Sequence, residues 1–258
     1  MGVWDIVLLV AVSTQATVLA YVHSSRGKAL LYALPIPFTV ASLALGTPIG
    51  TSRIVGLLMV FGYAHGVRWL YVKARVPIFA AIAICAVGYC LIGWGLAPVV
   101  PNDDRTFWPA LAGMLAVSIA LYAWVPHKEE PGHRSPLPVA VKFAVIAGVV
   151  AALIALKAQL QGFMAVFPMV GVAAAYEARH SLWTLARGIP AFLIAMVPML
   201  AICRLTQGPL GLGPALALGW VAFLAVLAPL NACLWRRVAG RSGEDTAVKC
   251  SADAPPRP

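Results

Sequence analysis

Pro77-Ile78-Phe79-Ala80-Ala81-Ile82-Ala83-Ile84-Cys85-Ala86-Val87-Gly88-Tyr89-Cys90-Leu91-Ile92-Gly93-Trp94-Gly95-Leu96-Ala97-Pro98-Val99-Val100 contains no charged side chain. A helix needs about 20 apolar residues to cross roughly 30 Å of hydrocarbon. A barrel strand would be about half as long and would alternate in polarity. This run does neither, so it reads as a transmembrane helix. Comparable apolar runs recur along the whole chain.

The composition agrees. Of 258 residues, 61% are hydrophobic and 11% charged, and the mean hydropathy is +0.87. Soluble domains are nearer half apolar and about a quarter charged. So large an apolar excess cannot all be hidden in a core of this size; the outer surface must be apolar too, and its solvent is lipid. In lipid every backbone N–H and C=O must be paired within the protein, which leaves helices or closed barrels. The fold class is therefore all-α, a polytopic transmembrane helix bundle. The net charge of +10 does not point to nucleic acid, because the basic residues sit in short loops between apolar runs, as positive-inside bias places them. The start, Met1 to Tyr21, carries Asp5 where a cleaved leader would be basic, and we expect it to remain as the first span. Cys85, Cys90, Cys203, Cys233 and Cys250 form no CxxC and no cluster with histidine. They read as small apolar helix residues, so no metal or other cofactor is expected.

Nine spans follow, at about 3–22, 29–46, 53–72, 77–100, 107–125, 137–157, 162–179, 183–204 and 209–235. Charges, prolines and glycines separate them, as in Gly46-Thr47-Pro48 and Pro101-Asn102-Asp103-Asp104-Arg105. The loop from Pro126 to Pro136 carries Lys128, Glu129, Glu130 and Arg134. The tail from Gly240 to Pro258 is polar and is expected to be disordered. Eleven Lys and Arg fall on one side (Arg26, Lys28, Lys73, Arg75, Lys128, Arg134, Arg179, Arg187, Arg236, Arg237, Arg241) and four on the other (Arg53, Arg105, Lys157, Arg204). The richer side is cytoplasmic. The expected location is the cell inner membrane, with the N-terminus outside and the C-terminus inside.

The two halves superpose when the chain is slid so that Leu34-Pro35 falls on Phe167-Pro168; Arg53 then falls within one residue of Arg187. The organisation expected is a first four-helix repeat over 1–106, a spacer helix and cytoplasmic loop over 107–136, a second four-helix repeat over 137–238 and a tail over 239–258. An odd offset of five spans inverts the second repeat. Inverted repeats are a common plan of secondary transporters, because two halves of one fold can exchange conformations around a site near midplane.

The second half contains Lys157-Ala158-Gln159-Leu160-Gln161-Gly162-Phe163-Met164-Ala165-Val166-Phe167-Pro168, then Ala173-Ala174-Ala175-Tyr176-Glu177 and Leu185-Ala186-Arg187-Gly188-Ile189-Pro190. Over about a hundred residues it resembles the small four-helix GlpM-like membrane proteins. The first half resembles them more faintly. The resemblance rests on one Phe-Pro and one Arg, and it implies a connection to alginate production without a defined activity. A fused double copy departs from the single-unit pattern of that family.

Ionisable groups inside spans cost several kcal/mol unless paired or hydrated, which makes each a candidate site residue. Glu177, Arg179, His180 and Arg187 are the densest set. They suit a vestibule in which the arginines attract an anion and Glu177 or His180 takes a proton; they equally suit helix ends snorkelling into headgroups. Arg53 and Arg187 each open a span, where a positive charge opposes the helix dipole and gains nothing locally, favouring an anionic partner such as phosphate or carboxylate. His65 and Arg68, three residues apart, share a face of the third span, and His65 could be proton-linked. Pro35, Pro37 and Pro168 interrupt helical hydrogen bonding. Gly62 and Gly66 form a small-residue face suited to close packing.

Enzyme motifs are mostly absent. There is no HExxH, GxSxG or P-loop. Asn102-Asp103-Asp104-Arg105 faintly resembles the acidic loops of intramembrane prenyl transferases but lacks a second acidic cluster. The function expected is a small secondary transporter or flippase for an anionic or amphipathic solute, lipid-linked solutes included. Its partners would be membrane lipid and that small-molecule or lipid-linked substrate, with a homo-oligomer left open. The alternatives are an enzyme acting on a lipid through Glu177 and His180, and a non-transporting helper of an envelope or polysaccharide synthesis complex.

Overall fold

The computed structural model describes residues 2–22, 25–124, 139–177 and 179–252. These residues form helices and the turns between them. The chain starts with α1 (Val3–Tyr21), α2 (Ser25–Tyr32) and α3 (Ile36–Leu45). Then come α4 (Thr51–Arg68), prolonged by a π-helical turn over Trp69–Lys73, α5 (Ile78–Leu96) and α6 (Asp104–Trp124). The second part holds α7 (Val139–Ala155), the short α8 (Lys157–Leu160) and α9 (Gly162–Ala165), and α10 (Met169–Glu177). It closes with α11 (Leu182–Ala186), α12 (Ile189–Leu210) and α13 (Leu212–Ala252).

Five helical stretches are long and apolar enough to cross a membrane: Thr51–Lys73, Ile78–Leu96, Asp104–Trp124, Leu182–Leu210 and Leu212–Cys233. Shorter apolar helices run over Val3–Leu19, Leu30–Leu45, Ile146–Ala155 and Gly162–Glu177. Only 28% of the Ile78–Leu96 stretch is buried inside the protein. Its Phe79, Ile84, Val87, Leu91, Ile92 and Trp94 stand outward. Exposed to water, such surface costs about 25 cal/mol for each Å²; against lipid tails it costs nothing. By helix length and hydropathy this is a multi-pass membrane protein.

The core gathers around α1, whose Leu8, Val12, Ala16 and Leu19 are fully buried along one stripe. It packs against α3, α7 and α10. On the far side α12 and α13 form a tight pair joined at Gly211, whose φ of 81° suits a residue without Cβ. The Cys203 thiol reaches the Ala215 carbonyl at 3.3 Å across that pair. The helix α6 bridges α4 and α12.

Two stretches expected as single helices, 29–46 and 162–179, are each broken in the middle. The α2 helix stops at Tyr32 and α3 starts at Ile36; α9 stops at Ala165 and α10 starts at Met169. Proline lacks an N–H, its ring crowds the carbonyl four residues back, and it pushes the residue before it out of the helical region. Leu34-Pro35 and Phe167-Pro168 are the two places. The backbone bonds around them match. Ala33 N–H donates to Leu30 O at 3.1 Å and Val166 N–H to Phe163 O at 3.3 Å. Leu34 N–H donates to Leu31 O at 3.4 Å and Phe167 N–H to Met164 O at 3.2 Å. Thr39 N–H donates to Pro35 O and Val172 N–H to Pro168 O, both at 3.0 Å. Each pair is related by the same shift that carries Leu34-Pro35 onto Phe167-Pro168. Pro37 breaks nothing, because it lies in the first turn of α3, where no helical bond is lost.

Two further differences have physical reasons. The sixth helix opens at Asp104, ahead of the expected 107, because the Asp103 carboxylate accepts the Thr106 N–H at 3.0 Å and caps it. The backbone stays helical to Ala252, through the segment from Gly240 expected to be disordered; an existing helix extends at one bond per residue, and no proline intervenes before Pro255. The 126–136 loop and residues 253–258 lie outside the described residues.

Close packing on α4 is also displaced from the expected pair. A Cβ on Gly62 would meet nothing within 4 Å, and one on Gly66 would meet only Cys85 Sγ at 3.1 Å. At Gly56, by contrast, it would lie 2.2 Å from Val166 Cγ2 and 3.0 Å from the Tyr89 hydroxyl. That hydroxyl lies 3.3 Å from Gly56 O and 3.2 Å from Phe163 O, pinning α9 to α4. Gly56→Ala is therefore expected to lower stability by about 1–3 kcal/mol, whereas Gly62→Ala should be neutral or slightly stabilising. Unfolding of both variants in the same detergent checks the contrast; equal effects would contradict the packing described.

Candidate functional site

The two helix breaks face each other. Leu34 and Pro35 on one side and Phe167 and Pro168 on the other line a common cavity of about 60 Å³, with Leu57 and Val60 of α4 as part of its wall. Its lining is almost wholly apolar. The carbonyls at the first break are met from α1: Gln15 donates its side-chain N–H to Leu31 O at 2.9 Å and to Leu34 O at 3.4 Å. The Thr39 hydroxyl donates to Pro35 O at 2.8 Å and accepts the Trp220 indole N–H at 2.8 Å, which ties the break to α13.

A larger cleft of about 610 Å³, more polar than the cavity between the breaks, lies at the start of α4, lined by Thr47, Ser52, Arg53, Asn102, Gln161 and Arg204 together with Ala44, Leu45 and Ala158. Arg53 is only 1% exposed. Contrary to the expectation that it gains nothing locally, its guanidinium turns away from α4 and caps the chain leaving α3. It donates to Pro48 O, to Thr47 O at 3.0 Å and to Thr47 Oγ1 at 3.2 Å. Its Nε has no hydrogen-bond partner.

Arg204, near the end of α12, is not among the residues that the sequence marks as site candidates. Its Nε and Nη2 engage Asp104 Oδ1 at 2.8 Å, Nη1 donates to Ile49 O at 2.9 Å and Nη2 to Asn102 O at 3.3 Å. Gln207 accepts the Ile49 N–H at 2.7 Å one turn further on. The end of α12 thus clamps the entry to α4. Asn102 accepts the Ser52 N–H at 3.1 Å. Gln161 holds φ at 46°, a left-handed value where a β-carbon is crowded, and brings Gly162 against Ser52 Oγ. In the sequence the signal for Arg204 is its placement near a span end, as a counterpart of Arg68; for Asn102 and Gln161 there is none.

The other candidates gather at the opposite end of α4. Fifteen residues of helix separate Arg53 from Arg68, about 22 Å. The Arg68 guanidinium lies over the Trp183 ring at 4.6 Å, and His65 meets the same ring edge-on at 6.2 Å and Phe61 at 4.1 Å. Arg179 packs over the Tyr176 ring at 5.2 Å and donates to Tyr176 O at 3.5 Å. Glu177 is buried at the end of α10 and His180 is exposed. Arg187 does not open α12 as expected; it lies in the turn between α11 and α12. The predicted residues therefore fall into two groups: Arg53 at one end, and His65 and Arg68 with the Trp183 segment at the other. Since Arg204 near the end of α12 meets Ile49 just before α4, and Arg68 at the end of α4 meets Trp183 of α11, the Leu182–Leu210 stretch, α12 included, runs antiparallel to α4.

Outside the spans, Asp103 is held below the usual carboxylate range, chiefly by the Thr106 hydroxyl and then its N–H. A depressed folded value contributes stability above the ordinary pKa of about 3.9 and loses it as pH falls through the folded value. Thr106→Val should move Asp103 back towards the ordinary range, as a carboxyl NMR titration would detect. At the clamp, Asp104→Asn should cost under about 1 kcal/mol, since Asp104 is largely exposed. Arg204→Met should cost roughly 2 kcal/mol, because it strips the charged donor from two carbonyls. Equal losses on detergent unfolding would count against a clamp role. No family model, curated protein or solved structure matches this chain.

Proposed function

We propose that the chain is a small secondary transporter or flippase of the inner membrane, built of nine spans as two inverted four-helix units around a spacer helix. The observation that carries this reading is the pair of helix breaks, at counterpart positions of the two halves, facing one cavity with matching backbone bonds. Broken helices at counterpart positions of two halves are where transporters hold their substrates. The antiparallel course of α4 and α12, counterparts in the two units, supports inversion. The apolar lining of the seam beside the basic cleft suits an anionic or amphipathic solute, lipid-linked ones included. A cavity of about 60 Å³ admits a water or two but no drug-sized ligand, so substrate entry needs the halves to move. In this reading the N-terminus is outside and the C-terminus cytoplasmic, and each unit is a relative of the GlpM-like four-helix proteins.

Two measurements test it in a cysteine-free background. Single cysteines at Thr47 and Arg53 should label with an impermeant thiol reagent in intact cells, and those at His180 and Arg187 only after permeabilisation. Labelling of both pairs from one side would end the inverted reading. A cysteine at Val60, in the seam, should react with a small impermeant methanethiosulfonate from either face if the halves alternate. Protection from both faces would remove the case for transport.

A further inference from the structure

We propose that the cleft around Arg53 is a binding site for a phosphate oxyanion, either a free ion or the phosphate of a lipid headgroup. Arg53 is a full positive charge buried within the protein, and its partners are two carbonyls and one hydroxyl, all neutral. No carboxylate among the described residues pairs with it. The acids nearest the cleft are committed elsewhere: Asp104 to Arg204, and Asp103 to Thr106. A buried charge without a counter-charge is costly, and here its Nε N–H, itself buried, has no partner, in a side chain that lines the cleft.

The rest of the lining supplies donors. The Thr47 oxygen already accepts from Arg53, which leaves its proton to give. Asn102 spends its oxygen on the Ser52 N–H, which leaves its amide N–H₂ available. Arg204 adds a second positive charge at the wall, shared with Asp104 at the rim. Several donors and a net positive charge around one opening match a tetrahedral oxyanion, whose bonds to arginine are charge-assisted. At about 610 Å³ the cleft has room for the ion with its ester substituents. The site does not depend on transport: it holds whether the chain moves its ligand, modifies it or only keeps it, so this binding test and the labelling tests fail separately.

Full-length protein in neutral detergent, stripped of lipid, would be titrated at constant ionic strength with inorganic phosphate and with dioleoylphosphatidylglycerol, and its unfolding temperature followed. Chloride and dioleoylphosphatidylcholine are the matched controls. Wild type should show a saturable rise with at least one probe. Arg53→Gln should weaken that response roughly tenfold to a hundredfold. Asn102→Asp keeps the acceptor for Ser52 N–H yet sets a negative charge at the wall, so it should weaken binding without disturbing the fold. It carries the test alone if Arg53→Gln does not fold. Lys73→Gln, at the other end of α4, should respond like wild type. A response to phosphate marks a free-ion site, and a response to the lipid alone marks a headgroup site. No saturable response above the controls, or unchanged binding in Asn102→Asp together with any folded Arg53→Gln, overturns the proposal.

Discussion

In hydrocarbon, a backbone carbonyl or N–H that leaves its helix must find a partner within the protein, because no water is there to replace it. Much of this architecture follows from how that demand is met at two prolines. Pro35 has no N–H to offer the carbonyl of Leu31, and Gln15 of α1 reaches across to it. This fixes the position of α1 against the broken helix and helps explain why a glutamine is buried there. At the same break the Trp220–Thr39–Pro35 relay holds α13. Tight local turns help at both breaks, from Ala33 and Leu34 before Pro35 and from Val166 and Phe167 before Pro168. The Tyr89 hydroxyl then secures α9 to α4. Two breaks that would each be costly in isolation become the points at which separate helices are joined.

The charges obey the same rule with a larger penalty. Arg204 is saturated by Asp104, Ile49 O and Asn102 O. It serves as the joint between α12 and the entry to α4. Arg68 rests its guanidinium on Trp183 at the other end, where ring face and cation attract. Arg53 is the exception: buried, solvated by neutral oxygens, with one nitrogen left without a partner in a side chain that lines the cleft. Along α4, Arg53, Leu57 and Val60 fall at spacings that share a face. The polar cleft and the apolar seam are therefore consecutive stations on one helix, with Gly56, Tyr89 and Phe163 packed between them.

The legible part of the candidate site is its residue types, and the illegible part is their grouping. By sequence Arg53 and Arg187 look like equivalent helix-opening arginines. The first folds back on the Thr47-Pro48 turn before its helix, and the second sits in a turn between two helices, because a short separate helix, Leu182–Ala186, precedes it. Arg204 and Asn102 are 102 residues apart and meet only because α12 returns beside the start of α4. Gly62 and Gly66 have the spacing of a packing face, yet the tight approach is at Gly56, since which face of a helix meets a neighbour depends on where that neighbour lies. Prolines are equally ambiguous: Pro35 and Pro168 break their helices, while Pro198 sits within α12 and leaves it continuous.

From the sequence alone come the solvent and the class of fold. Apolar runs of span length, separated by charged turns, admit little but helices in lipid, since backbone pairing in hydrocarbon is a local requirement that local composition reveals. That prolines such as Pro35 and Pro168 can interrupt helical hydrogen bonding is legible too, but not which of the chain's prolines break a helix. That the breaks face one another, that Gln15 satisfies one of them, and that Arg53 and Arg204 line one cleft were decided by tertiary structure. Those contacts join residues far apart in the chain, and they depend on how each helix is turned about its own axis, which packing sets and periodicity in nearly uniform apolar helices does not record.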